Sequence, residues 1–122
     1  MMIGVGVDLV DVHRFREVIR RRDKITERLF TQNELTYCNR AIDPAERLAA
    51  RFAAKEAVMK ALGVGLGAIR FREIEITKDK TGKPGLQLHG SASELAAHNG
   101  ISHWHISLSH TTSTAEAFVI AE

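Results

Sequence analysis

The sequence holds a single cysteine, Cys38, so no disulfide can form within the chain. A lone thiol suits a reducing compartment, and with no activating base near it in the sequence it reads as an inert, partly buried side chain. No stretch approaches the roughly 20 apolar residues that a membrane helix needs. Asp8 and Asp11 interrupt the first apolar run and no cationic segment precedes it, which is not the pattern of a secretory leader. The expectation is a soluble, cytoplasmic protein with no membrane partner. Repeats, linkers and low-complexity segments are absent. Aromatic residues make up 6% of the chain and the formal net charge is only +2, so bulk charge names no partner.

What is present is an ordinary globular balance, 44% apolar and 26% charged over 122 residues. That length suits one domain, residues 1–122, with one modest core. Charge is unevenly spread. Arg14, Arg16, Arg20, Arg21, Arg22 and Lys24 crowd one short stretch, which reads equally as a solvated helix face or as a dock for an acidic partner.

Residues 3–10 alternate: Ile3, Val5, Val7 and Leu9 fall on one apolar face, and Gly4, Gly6, Asp8 and Val10 on the other. This predicts a strand, and its glycines leave room for a close approach to the backbone. Asp11 can cap a helix over 12–22. Thr31 precedes a short helix with Glu34 at the capping-box spacing. Asp43-Pro44 predicts the start of a long helix, with aspartate as the cap and proline first inside, running to about Leu62 and closed by Gly63, Gly65 and Gly67. Strands are expected over 71–78 and 86–88, a helix over 91–98, and two strands over 103–109 and 115–121 joined by a polar turn. One strand, then helices, then several strands with one inserted helix is an α+β arrangement: an antiparallel sheet packed against a long central helix.

Glu56 is the most informative residue. On a helical projection Leu48, Phe52 and Met59 lie to one side of it and Ala49 and Ala53 close on the other, which sets a carboxylate in an apolar stripe. Such a group needs a cation or donors, as a structural ion pair or as a metal or catalytic ligand. Asp8 repeats the pattern on a strand. Two carboxylates are too few to cage a hard cation, but enough for a Mg²⁺ that keeps waters and takes its remaining ligands from substrate phosphates. Lys60 follows Glu56 by one turn, and the glycines after it let backbone N–H groups approach phosphate oxygens. The order, lysine before glycines, is not that of a P-loop. The SHTTST turn offers hydroxyls and an imidazole, suited to phosphate or ribose or simply to a hairpin. His98, His103 and His105 form no zinc pattern.

The segments GVDLVDVHRF near the start, FTQNE at 30–34, RFAAKEAVMKALGVGLG at 51–67, GKP at 82–84 and ISLSHT at 106–111 resemble, in order and spacing, the short-chain holo-acyl-carrier-protein synthase branch of the 4′-phosphopantetheinyl transferases. The resemblance covers nearly the whole chain. It implies the fold of that family and transfer of 4′-phosphopantetheine from coenzyme A to a serine of an acyl carrier protein, in fatty acid biosynthesis. It implies that Asp8 and Glu56 hold Mg²⁺ beside the coenzyme A pyrophosphate and that Lys60 pairs with phosphate, these three making up the catalytic group. By the same resemblance Arg51, Gly63 and Gly65 belong to the coenzyme site. Pro84, Ser109, His110 and Thr111 lie against the nucleotide, and Arg14 with Arg20 and Arg21 docks the carrier. It also implies a homotrimer with active sites between subunits.

Two other readings fit parts of the sequence. A nucleic-acid-binding module would use the basic helix, but the modest charge and few aromatics count against it, and it leaves Glu56 without purpose. A Mg²⁺-dependent pyrophosphatase would share the carboxylates and the lysine but has no need of a basic docking helix.

Overall fold

The structure, a computed structural model, describes residues 1–22 and 24–122. Strand β1 spans Gly4–Asp11 and helix α1 Val12–Arg21. Asp11 ends the strand and caps the helix, its Oδ1 accepting from the Arg14 N–H at 3.0 Å. Two short helices follow, α2 over Ile25–Leu29 and α3 over Gln32–Cys38. The capping box expected of Thr31 and Glu34 is present in both directions. Helix α4 spans Ala45–Leu62 and ends on Gly63 in the left-handed region, φ +74°, where a side chain would be strained. It starts one residue later than expected: Pro44 is the cap residue, and Asp43 Oδ1 reaches past it to the Ala45 N–H at 3.1 Å.

The remaining elements are β2 (Ile74–Lys78), β3 (Pro84–Leu88), α5 (Gly90–His98), β4 (Trp104–His110) and β5 (Thr114–Ala121). The expected strand over 71–78 is shorter than its alternation suggested, because Phe71–Glu73 forms a 3₁₀ turn. Its groups serve helices instead of a ladder. The Phe71 carbonyl accepts from Lys55 on α4, and Glu73 Oε1 accepts from Ser91 Oγ and the Ala92 N–H at the start of α5. The fold is α+β with two antiparallel sheets, a three-stranded one in the order β1-β5-β4 and the β2-β3 hairpin.

Helix α4 lies against β1 and β5. The register pairs Gly4 with Ala121, Gly6 with Val119, Asp8 with Ala117 and Val10 with Ala115 on the face turned to the helix. A Cβ at Gly4 or Gly6 would collide with the carbonyls of Ala61 or Ala57, so what approaches the glycines is the α4 backbone itself. The helix can sit so close because its contact residues are small: Ala49, Ala50, Ala53, Ala54 and Ala57 are all buried. It separates two apolar clusters, one built on the sheets and α5, the other on α1, α3 and Phe30. Its burial is therefore nearly all-round, where the projection suggested one stripe.

The other face of the three-stranded sheet is apolar and uncovered. Ile3, Val5, Val7, Leu9 and Phe118 are each between 42% and 64% exposed.

Candidate active site

Asp8 projects from β1 toward α4 near the helix's C-terminal turn, and its side chain is 13% exposed. Lys60 reaches back to it, donating from Nζ to Asp8 Oδ1 at 3.1 Å and to the Val7 carbonyl at 2.9 Å. Glu56, one turn earlier on α4, shares this neighbourhood. Burial pushes its carboxyl group above the ordinary range, the negative charge of Asp8 pushes it further, and Lys60 opposes both. Two like charges on facing elements, with one lysine between, leave the patch ready to accept a further cation. A small cavity of about 180 Å³ opens beside it, lined by Glu56, Lys60, Gly65 and Leu66. Gly63 closes the helix at its edge, with the Gly63 and Val64 N–H groups engaged by the Lys60 and Met59 carbonyls. Among the described residues no three His, Cys, Asp or Glu side chains gather as a metal cage.

Glu56 is only half-buried. The charge that is fully buried belongs to its neighbour, Lys55, whose Nζ donates to Glu34 Oε1 at 2.8 Å and to the Ile74 and Phe71 carbonyls at 2.6 and 3.0 Å. Burial lowers the Lys55 ammonium from its ordinary value, and Glu34 opposes that. The Glu34 carboxylate is fully used, accepting also from the Thr31 and Ile76 N–H groups. The structural ion pair that the sequence allowed for Glu56 exists, one residue earlier. Cys38 is fully buried and burial raises its thiol, as an inert cysteine requires.

Arg51 is on another side of α4. It and Glu56 are five residues apart, about 140° around the axis at the helical repeat of ~3.6 residues per turn. Arg51, Pro84 and His110 come together on a separate cavity of about 440 Å³, which Tyr37, Arg47 and Lys78 also line. His110 Nδ1 is held 3.0 Å from Glu46 Oε1. Ser109 and Thr111 do not line this cavity. Ser109 pairs with Glu116 on the opposite face of the sheet, and the Thr111 hydroxyl accepts from the Ser113 and Thr114 N–H groups, closing the hairpin turn. Arg14, Arg20 and Arg21 are exposed on α1, and the latter two share the carboxylate of Glu17. Tyr37, Arg47 and Lys78 escaped the sequence reading. Arg47 had a signal, since it lies one turn before Arg51, but Tyr37 and Lys78 join the cavity from distant segments.

The long helix of this α+β fold carries a carboxylate–lysine patch on one side and borders a cation-lined cavity on another, and the charges of both suit phosphate chemistry. The chain belongs to the 4′-phosphopantetheinyl transferase superfamily, whose family model matches residues 4–121. It is 42% identical over 121 residues to the holo-[acyl-carrier-protein] synthase of Moorella thermoacetica, covering 99% of this chain and 94% of that protein. The crystal structure of holo-[acyl-carrier-protein] synthase from Neisseria meningitidis superposes with a TM-score of 0.90 at 38% identity, covering 100% of this chain and 99% of the other. A coenzyme A complex of the synthase from Chronobacterium ammoniagenes has a TM-score of 0.86 at 32% identity, over 99% and 96% of the two chains.

Proposed function

We propose that this chain transfers 4′-phosphopantetheine from coenzyme A to a serine of an apo-acyl carrier protein, releasing adenosine 3′,5′-bisphosphate, and so serves fatty acid biosynthesis. The observation that carries this reading is the meeting of Asp8, Glu56 and Lys60 at one end of α4. The donor set fits a magnesium ion: two carboxylates that supply hard oxygens, only one lysine to offset their charge, and open space beside them. Asp8 and Glu56 would hold Mg²⁺, which supplies charge neutralisation for the pyrophosphate.

The chain's own residues perform the rest. Lys60, half-exposed and anchored on Asp8, adds positive charge where phosphate oxygens gain negative charge. The serine oxygen bonds to the β-phosphorus, and the bond from that phosphorus to the bridging oxygen breaks. Adenosine bisphosphate leaves with the electron pair. The serine proton passes to Glu56, directly or through a water, as the carboxylate that lines the small cavity beside the patch.

The nucleotide end is assigned to the cavity of Arg51, Pro84 and His110. That cavity and the Glu56 patch face different sides of α4, which supports an assembly in which one protomer offers the first and its neighbour the second. The uncovered apolar face of Ile3, Val5, Val7, Leu9 and Phe118 is the surface such an assembly would bury, and a homotrimer is the form proposed. Arg14 and the basic helix α1 would receive the acidic carrier. The enzyme and its carrier are assigned to the cytoplasm; no helix among the described residues is long and apolar enough to cross a membrane.

The test is mass spectrometry of apo-acyl carrier protein incubated with this chain, coenzyme A and Mg²⁺. The expected result is one added phosphopantetheine on a serine, dependent on the enzyme. An unmodified carrier, with phosphate released from coenzyme A, would favour a pyrophosphatase instead.

A further inference from the structure

A carboxylate interrupts the uncovered apolar face of the three-stranded sheet. In the ladder Ile120 lies between Val5 and His105, Phe118 between Val7 and Ser107, and Glu116 between Leu9 and Ser109. Side chains alternate along a strand, so Glu116 points the same way as Val5, Val7, Leu9 and Phe118. It is exposed, as they are.

Nothing on this face balances its charge. β1, β4 and β5 contain no lysine or arginine. Among the described residues Glu116 makes no salt bridge. The other ionisable groups on this side of the sheet are Asp11 on β1, His105 on β4 and Glu122 after β5, and each is already engaged. Asp11 Oδ1 caps α1 by accepting the Arg14 N–H at 3.0 Å, and Glu122 Oε1 lies 2.8 Å from His105 Nε2. Helix α4, with Glu46, Glu56 and Lys60, covers the opposite face, where Asp8 and His110 also lie. Ser109, across the ladder, offers Glu116 a hydroxyl but no countercharge.

Water stabilises this carboxylate in the single protomer. A second copy laid on the face removes that water, which penalises the charged form and not the protonated one. A symmetric assembly also repeats the charge, because every copy brings its own Glu116 to the same contact. We propose that Glu116 makes self-association of this chain pH-dependent: closing the face takes up a proton at Glu116 in each protomer, and the assembly loosens as pH rises. This rests on the reading of the face as an interface between copies of the chain. His105 has Glu122 as its countercharge within one protomer, so Glu116 is the uncompensated group. The same reading divides the active site between protomers, so turnover at low enzyme concentration would follow the assembly.

Each proton bound on assembly changes the equilibrium by up to about tenfold per pH unit, in favour of assembly as pH falls. The test is sedimentation velocity on dilution series of wild type, Glu116→Gln and Glu116→Leu, at pH values from about 5 to about 8, the range above the ordinary glutamate value of about 4.3. Circular dichroism at each pH checks that the fold is retained. The wild-type concentration at half-assembly should rise by about tenfold or more across this range. Glu116→Gln, which keeps the shape and removes the charge, should assemble at lower concentration than wild type near neutrality and should lose most of the pH dependence. Glu116→Leu should assemble at least as tightly as Glu116→Gln.

A wild-type assembly that ignores pH or tightens as pH rises would overturn this proposal alone and leave the interface standing. So would a Glu116→Gln protein that keeps the wild-type pH dependence or assembles more weakly, since Glu116 would then bond to a neighbouring copy as a charge. Wild type and Glu116→Gln that both stay monomeric at every pH would overturn the interface reading and this proposal with it.

Discussion

Lys55 Nζ lies 2.8 Å from Glu34 Oε1 with both side chains wholly buried, directly beside the catalytic candidate Glu56 in the sequence. The pair ties α4 to α3 and, through the Phe71 and Ile74 carbonyls, to the start of β2. It fixes the helix from which Glu56 and Lys60 project, so the fold's deepest charges serve the site without entering it.

Removing the ammonium would leave the Glu34 charge without its countercharge in the core and take a donor from the Phe71 and Ile74 carbonyls. Lys55→Met is expected to destabilise the protein by about 3–5 kcal/mol in urea unfolding, the usual cost of breaking a buried pair from one side. Lys55→Arg should not rescue it, because the three acceptors surround a point-like ammonium and a planar guanidinium is larger. A loss below about 1 kcal/mol would show that the pair does not carry this role.

Asp8→Ala and Glu56→Ala should each abolish transfer while leaving the fold intact by circular dichroism. Glu56→Gln should leave the metal-free protein at least as stable as wild type, since it removes one of two carboxylate charges that repel each other. Mg²⁺ should stabilise wild type against unfolding by mass action, by about 2.7 kcal/mol at a hundred times its dissociation constant, and should not do so for Glu56→Gln. Near wild-type turnover by either alanine variant would rule out the two-carboxylate site.

Acid stability should depend on Glu75. Burial would raise this carboxyl group, but hydrogen bonds from His89 and Thr31 prevail and hold it below 4.5. A carboxylate depressed in the folded state adds stability that is complete above its unfolded pKa and disappears as pH falls through the folded one. The stability gap between wild type and His89→Ala should therefore be present above pH 4.5 and should narrow below it, on equilibrium unfolding at a series of pH values. A gap that goes on widening as pH falls below 4.5 would contradict it.

The exposed sheet face predicts self-association. Val7→Asp, which sets a charge opposite Phe118 in the ladder, should convert the assembly to monomers on light scattering, and transfer should fall with it. A wild-type protein that is monomeric at micromolar concentration would remove this surface from the argument.

Carrier docking predicts a charge effect confined to one substrate. Arg14→Glu should weaken carrier binding far more than coenzyme A binding in calorimetry, and added salt should mimic it, because exposed charges are screened over about 10 Å at ~0.1 M ionic strength. Equal weakening of both would count against α1 as the dock.

Local patterns carried much of this into view before any tertiary structure. The Asp11 cap, the Thr31–Glu34 box, the Gly63 stop and the alternation of β1 depend on residues a few positions apart, and each is found where the pattern placed it. The strand over 71–78 failed at its first three residues, because Glu73 and the Phe71 carbonyl bond to α5 and α4, partners no local window contains.

The sequence by itself determined which side chains share a face: Asp8 with the glycines of β1, and Glu56 one turn from Lys60 on α4. Periodicity and helical spacing are properties of the backbone, and they hold wherever the element is placed. Tertiary structure decided the depth and company of each group. It buried Lys55 more deeply than Glu56, turned the apolar side of β1 outward by laying α4 on its glycines, sent Ser109 and His110 to opposite faces, and drew Tyr37 and Lys78 to Arg51. Those outcomes depend on contacts between segments far apart in the chain, where packing and desolvation act and a short-range pattern carries no information.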